Sequence, residues 1–256
     1  MNIFQAVILS IVEGITEFLP ISSTGHLILT TQLLGITETD FVKSFEIYIQ
    51  LGAIFAVMVL YAKKYFQNIY VWKNVLAAFL PTALIGFIFY KFVKTYLLGN
   101  EQVVVLSLLI GGVLLIGLEK IYREKEQAIG KIEDLSLKQS FLIGLAQSVS
   151  IVPGVSRSAA TILGALFLGA KRGVAVEFSF LLAVPTMLAA SGYDLLKSNM
   201  AFSTDEWTLI AVGFIGSFIT ALIVVRWFIK FVQTNTFIPF GIYRIILALL
   251  FLVFLL

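Results

Sequence analysis

Five ionisable side chains stand inside otherwise apolar sequence: Glu13, Glu17, His26, Glu46 and Arg157. A charge at the centre of a membrane helix costs about 2.5–3.5 kcal/mol on insertion scales, so each is a candidate for function. Glu13 and Glu17 are four residues apart, which puts both carboxylates on one helix face. Adjacent carboxylates repel and call for a divalent cation, a shared proton or a nearby cationic side chain. Ser23 and His26 are three apart, within reach of one another as nucleophile and base. His26 is the single histidine of the chain. Arg157 sits in Ser156-Arg157-Ser158, just before an expected helix start, where free backbone N–H groups and the helix dipole favour an anion. Its planar fork suits phosphate oxygens.

Two carboxylates, a hydroxyl cluster, one imidazole and one guanidinium together read as a phosphate site. Ser22, Thr24, Ser156, Ser158 and Gln147 are expected as further substrate contacts, and Glu46 with Gln50, four residues on, is expected to line the same cavity. Plainer readings stand beside these. Neighbouring Ser or Thr hydroxyls would satisfy the Glu pair, His26 would bond a carbonyl, and Ser22 would serve only as a helix cap. Glu177, just after Lys171 and Arg172, reads as a salt bridge at the membrane edge.

The elements that must position these residues follow from composition. Of 256 residues, 59% are hydrophobic and 13% charged, with a mean hydropathy of +1.00. Soluble domains carry about 45–50% apolar and about 25% charged residues, so a soluble fold is excluded. The absence of cysteine removes disulfides and thiolate metal sites. Residues 1–20 have no basic leader and carry Glu13 and Glu17, which argues against a cleaved signal peptide.

Six segments are long and apolar enough to span: about 44–62, 75–93, 102–118, 173–193, 207–229 and 240–256. Two more, 2–34 and 139–168, are interrupted by Pro20-Ile21-Ser22-Ser23-Thr24-Gly25 and by Pro153-Gly154-Val155-Ser156-Arg157-Ser158. Proline drives its predecessor out of the helix, and the serines that follow cap a new one. Each segment is therefore expected to form two short helices in a re-entrant hairpin, which survives at membrane depth only inside protein or along a wet cavity. A shift of 133 residues places Pro20 on Pro153, Ser23 on Ser156 and Phe45 on Phe178. Paired interrupted segments are the usual mark of an inverted repeat. The expected fold is an all-α polytopic membrane protein of about six transmembrane helices plus two re-entrant broken-helix hairpins. It forms one domain, with halves at about 1–118 and 139–256 joined by loop 119–138.

Lys and Arg set the orientation. Thirteen of them, Arg244 included, fall on the side of loops 62–74, 119–138, 170–172 and 230–239, against four on the other. That bias makes the first side cytoplasmic and places loop 194–206 and both termini outside. It also accounts for the basic pI without a nucleic-acid partner.

The run Glu13-Gly-Ile-Thr-Glu17-Phe-Leu-Pro-Ile-Ser-Ser23-Thr-Gly-His26 resembles the signature of the bacterial undecaprenyl-diphosphatase family, also called the bacitracin-resistance protein family. Pro153-Gly-Val-Ser-Arg157-Ser is similar to its second motif, and the blocks around Phe45-Glu46, Gln50 and Glu177–Pro185 to its flanking ones. Ala159 stands where the family usually has Gly, and Ser150 where Ala is common. Both are small, so the site assignment stands. The resemblance covers essentially the whole chain. It implies a multi-pass enzyme of the bacterial plasma membrane that removes the terminal phosphate of undecaprenyl diphosphate, regenerating a cell-wall carrier lipid. It carries catalytic roles onto Glu13, Glu17, Ser23, His26 and Arg157, and further implies a divalent cation, Mg2+ or Ca2+, at Glu13 and Glu17. It leaves room for a homodimer. Whether Ser23 or a water attacks phosphorus stays open at this level. The competing class is a secondary transporter or lipid flippase, because inverted repeats of broken helices are also transporter architecture.

Overall fold

A computed structural model describes residues 1–65, 68–97, 100–124, 127–197 and 202–254. Ten α-helices follow one another in these residues. They are α1 (Ile3–Thr16), α2 (Ser23–Leu33), α3 (Asp40–Tyr65), α4 (Ile69–Phe92), α5 (Glu101–Ile121), α6 (Leu137–Ser148), α7 (Arg157–Phe167), α8 (Arg172–Lys197), α9 (Thr204–Thr234) and α10 (Ile238–Phe254). Five of them, α3, α4, α5, α8 and α9, carry apolar stretches of 21 to 31 residues, enough to cross a bilayer. The expected sixth span is α10, whose described part is 17 residues, a rise of about 25 Å. The molecule is a polytopic helical membrane protein. The expected outer loop 194–206 lies partly outside the described residues.

Helices α1 and α2 form one broken hairpin and α6 and α7 the other, and the two are built alike down to single hydrogen bonds. Asn2 and Gln5 close a capping box at the start of α1; Ser136 and Gln139 close one at the start of α6. Gln5 Nε2 then reaches the carbonyl of Leu34 (3.1 Å), and Gln139 Nε2 that of Leu168 (3.3 Å). Ser22 and Ser156 cap α2 and α7, with φ of 70° and 73°. Gly35 and Gly169, at φ 61° and 88°, end the same helices, with Ile36 N bonded to Thr31 O and Ala170 N to Ala165 O.

Every one of these pairs is 134 residues apart. The gapless 133-residue register expected from the prolines is therefore wrong within the hairpins. Ser22 is equivalent to Ser156, Ser23 to Arg157, and Pro20 to Gly154. In α3 and α8 the 133 spacing holds for Phe45 and Phe178, both fully buried. The change of register falls in the connections, residues 34–39 against 168–171.

Packing is reciprocal as well: α1 lies along α9, and α6 along α4. Small residues permit the close approach. A Cβ at Gly14 would strike Thr220 and the Ser217 carbonyl, and one at Gly144 the Ala78 carbonyl. Helices α5 and α10 cross at Gly112 and Gly241.

Arg244 corrects the orientation count. It is fully buried, not part of a basic cytoplasmic flank, which leaves twelve Lys and Arg against four. Its five N–H donors are all used. Nε donates to Leu108 O (3.4 Å), Nη1 to Pro20 O (3.2 Å) and Val155 O (2.9 Å), and Nη2 to Ser107 O (2.9 Å) and Gly154 O (3.0 Å). One guanidinium thus fastens the tips of both hairpins to α5, and Gly111 leaves the room for it. Glu177 forms the expected salt bridge, with Lys64 (3.0 Å), while Arg172 pairs with Glu119 and Glu124.

Candidate active site

The two hairpin tips meet at Glu17. This residue ends α1 and is almost wholly buried. Ser23, the first residue of α2, donates its Oγ–H to Glu17 Oε2 (2.7 Å). Arg157, the first residue of α7, donates Nη2–H to Glu17 Oε1 (3.0 Å). Structurally equivalent positions of the two halves therefore converge on one carboxylate, one supplying a hydroxyl and the other a guanidinium. The Arg157 head is held by Nη1 on the Ser179 carbonyl (2.8 Å) and hydroxyl (3.3 Å), and it lies over the Phe18 ring at 5.6 Å. Ser158 Oγ donates to Phe18 O (2.7 Å), tying the second hairpin to the first just beside Glu17.

Why the chain folds this way locally follows from the caps. Ser22 and Ser156 are the only non-glycine residues with positive φ among the described residues, a conformation that costs on the order of 1–3 kcal/mol. Their side chains accept from Gly25 N (3.4 Å) and Ala159 N (3.2 Å). This aims the N-terminus of each half-helix, with its free N–H groups, toward the junction. The hydroxyls of Ser22 and Ser156 are thus occupied as caps. Thr24 is exposed, on the far side of the turn from the buried Ser23.

The expected Ser23–His26 pair is not formed. Ser23 is bonded to Glu17, and both ring nitrogens of His26 are engaged elsewhere: Nδ1 with Ser22 O (2.8 Å) and Nε2 with the Tyr243 hydroxyl (2.7 Å). The i, i+3 spacing places the two residues on one face, but the first turn of α2 turns Ser23 back toward α1. Gln147 is also differently employed. Its amide donates to Thr82 and Thr186 (both 3.1 Å) and accepts from Thr161 (3.0 Å), so it locks α6 to α4, α7 and α8 and has no group left for substrate. By the 134-residue register it stands where the first hairpin has Glu13.

Glu13 has no such employment. It is completely buried, and neither carboxyl oxygen has a hydrogen-bond partner. It lies within reach of Glu17, a contact that becomes a hydrogen bond only when the pair shares a proton, and it interacts electrostatically with Glu46 and Arg157. Glu46 and Gln50 are half-buried on α3. Among the described residues, four buried side-chain atoms lack partners: both Glu13 oxygens, Arg157 Nε and Ser140 Oγ. Three of the four belong to this site. Native interiors leave few such groups, and a cluster of them marks a place where something else binds: an anion for the free N–H of Arg157, and a cation or a proton for Glu13.

A divalent cation fits these donors. Mg2+ takes oxygen ligands, commonly one or two carboxylates completed by water and substrate phosphate. Glu13 offers two uncommitted oxygens. Among the described residues no cluster of three or more His, Asp or Glu is present, so phosphate and water would supply the remaining ligands.

Fold and site together define a polytopic membrane protein with a buried ionic centre assembled from two half-helix hairpins. The family described as bacitracin resistance protein BacA matches residues 6–250, and the chain belongs to that family. It is 54% identical to the undecaprenyl-diphosphatase of Aquifex aeolicus (strain VF5) over 254 residues, 99% of each chain. It is also similar to the undecaprenyl-diphosphatases of Sulfurihydrogenibium sp. (strain YO3AOP1), at 51% over 98% of each chain, and of Wolinella succinogenes, at 48% over 100% of this chain and 99% of that one.

Sequence reasoning missed Tyr243, Ser179 and Arg244. The last two act through backbone carbonyls or as a carbonyl, which leave no signature in side-chain type. Tyr243 lies 217 residues from its partner.

Proposed function

We infer that this chain is an undecaprenyl-diphosphatase: it hydrolyses undecaprenyl diphosphate to undecaprenyl phosphate and inorganic phosphate, renewing the carrier lipid of cell-wall synthesis. Full-length identity to relatives of that name supports the hydrolase over a transporter or flippase. The observation that carries the chemistry is Glu17, sharing its two oxygens between a serine hydroxyl and a guanidinium, with unpartnered Arg157 Nε and Glu13 oxygens beside it.

In the mechanism these contacts support, Ser23 Oγ attacks the terminal phosphorus and its proton passes to Glu17 Oε2, 2.7 Å away. The bond from phosphorus to the bridging oxygen breaks, and undecaprenyl phosphate leaves. Arg157 and the N-termini of α2 and α7 stabilise the equatorial oxygens, whose charge is greatest in the transition state. Water then attacks the phosphoserine and gives a proton to His26 Nε2, which releases it to solvent once phosphate has left. Phosphate departs, and Glu17 returns its proton to Ser23. Glu13, whose two oxygens are uncommitted, would hold a divalent cation, which when bound neutralises phosphate charge. The prenyl tail lies in lipid-facing apolar surface. A groove of about 660 Å3 along α1 and α9, lined by Val7, Trp207, Ala211 and Ile215, is of the right character.

Purified protein in detergent, with no membrane and no gradient, is expected to release inorganic phosphate from undecaprenyl diphosphate. A chain that binds the lipid without releasing phosphate would be a transporter or flippase.

The enzyme is placed in the bacterial plasma membrane, with loop 119–138 in the cytoplasm and the α8–α9 connection outside. The remaining bias of basic residues supports this orientation. Since the chain has no cysteine, Asp205→Cys should react with an impermeant thiol reagent in intact cells and Gln127→Cys only after permeabilisation. The opposite pattern would invert the orientation.

A further inference from the structure

We propose that Tyr243, on α10, is a positioning residue for His26: its hydroxyl donates to Nε2 and holds in place the ring nitrogen that acts as base. The inference rests on His26 serving the reaction, as described above, but it is drawn from hydrogen-bond chemistry alone. His26 Nδ1 lies 2.8 Å from the carbonyl oxygen of Ser22. A carbonyl only accepts, so Nδ1 carries the proton. In the neutral imidazole Nε2 then has a lone pair and no hydrogen. The Tyr243 oxygen lies 2.7 Å from Nε2 and must be the donor of that bond. The two rings are nearly parallel, at 6° with centroids 5.5 Å apart, so the tyrosine supports the imidazole along its face as well as at Nε2.

Two features of the fold make this contact a built one. Tyr243 immediately precedes Arg244, whose guanidinium holds the carbonyl of Pro20 at the tip of the same hairpin that bears His26. The backbone of α10 is thereby registered to the turn before α2. Second, His26 is 9% exposed and Tyr243 42%, so the imidazole is almost enclosed and the tyrosine that bonds it is not. In the resting enzyme the Ser22 carbonyl holds the ring in the Nδ1–H tautomer, and Tyr243 satisfies the Nε2 lone pair and steadies the ring from its other end. When water must be activated, rotation of the hydroxyl releases Nε2 without moving the ring.

Because His26 is the only histidine, protein labelled with ring-15N histidine gives a single imidazole spectrum in detergent. The wild type should show a protonated Nδ1 and an unprotonated, hydrogen-bonded Nε2. Tyr243→Phe keeps the ring and removes only the hydroxyl. It should shift the Nε2 resonance toward that of an unbonded nitrogen, leave Nδ1 in place, and lower kcat about tenfold with KM within twofold. In a His26→Ala background the same substitution should have no further effect on kcat. An Nε2–H tautomer in the wild type, or an Nε2 signal indifferent to Tyr243→Phe, would overturn the proposal. So would a shifted signal with unchanged kcat, or an undiminished effect of Tyr243→Phe in the His26→Ala background. Full turnover by His26→Ala, with the predicted spectrum intact, would instead remove His26 from the mechanism and leave Tyr243 nothing to position.

Discussion

Glu17→Gln is expected to lower kcat about a thousandfold, the largest loss of any single conservative substitution in the chain. A positioned general base contributes roughly 10²- to 10⁴-fold, and among the described residues Glu17 is the only group bonded to the Ser23 hydroxyl. The amide keeps the size of the side chain and can still accept from Ser23, so geometry is nearly preserved while basicity is lost. Arg157 would keep Ser179 and gain freedom at Nη2, so substrate binding should survive and KM should change by no more than a few fold. Steady-state phosphate release across substrate concentrations separates the two quantities. A Glu17→Gln enzyme within tenfold of wild type would mean that Ser23 is deprotonated by another group.

Arg157→Lys is expected to cost about a hundredfold in kcat, the range seen when one preorganised donor to a developing oxyanion is removed. Charge is retained, so the effect isolates geometry. Lysine offers a point charge with three donors, whereas the guanidinium simultaneously bonds Glu17 and Ser179 and presents Nε–H unpartnered. The same measurement should show KM rising less than kcat falls, because the interaction strengthens as charge develops on the transferring phosphoryl group. Size-exclusion elution and helical circular dichroism should match the wild type. Activity near wild type in Arg157→Lys would remove the guanidinium from the phosphate site.

Both predictions rest on residues that were legible before any coordinates. The long apolar runs determine the spanning helices, and the prolines with their following serines mark where two segments must break. Carboxylates and an arginine in that setting can only be functional or paired, and here Glu17 and Arg157 are paired. What could not be read was register. Pro20 and Pro153 each end a helix, but proline reports only that the helix ends, not at which turn. The equivalence lies in the caps, Ser22 with Ser156, whose positive φ no residue type announces. The one-residue correction changes the chemistry, because it makes Ser23 and Arg157 counterparts and brings both to Glu17.

The Ser23–His26 pairing failed for a related reason. Helical spacing tells which residues share a face, but not which partner each side chain finds there. His26 Nδ1 is taken by the carbonyl of Ser22, and Ser23 faces the end of the preceding helix. Arg244 was misread as a membrane-edge cation because the acceptors that bury it are carbonyls, which every residue possesses. Gln147 and Glu13 make the converse point. They occupy equivalent places in the two hairpins, yet one is saturated by threonines and the other is left bare. The repeat places a glutamate and a glutamine at equivalent positions, and of the two only the glutamate retains oxygens free for a ligand.

In the proposed mechanism Ser23, delivered by one half-helix, takes the phosphoryl group while Arg157, delivered by the other, stabilises it. Acid quench of a single turnover with undecaprenyl diphosphate labelled in its terminal phosphorus, using His26→Ala to slow the second step, tests this. Label should be retained on the peptide containing Ser23, as phosphoserine, and none should be found on the chain when Ser23→Ala is added. Phosphate release from His26→Ala with no label ever found on the chain would contradict it, and would assign the attack to water.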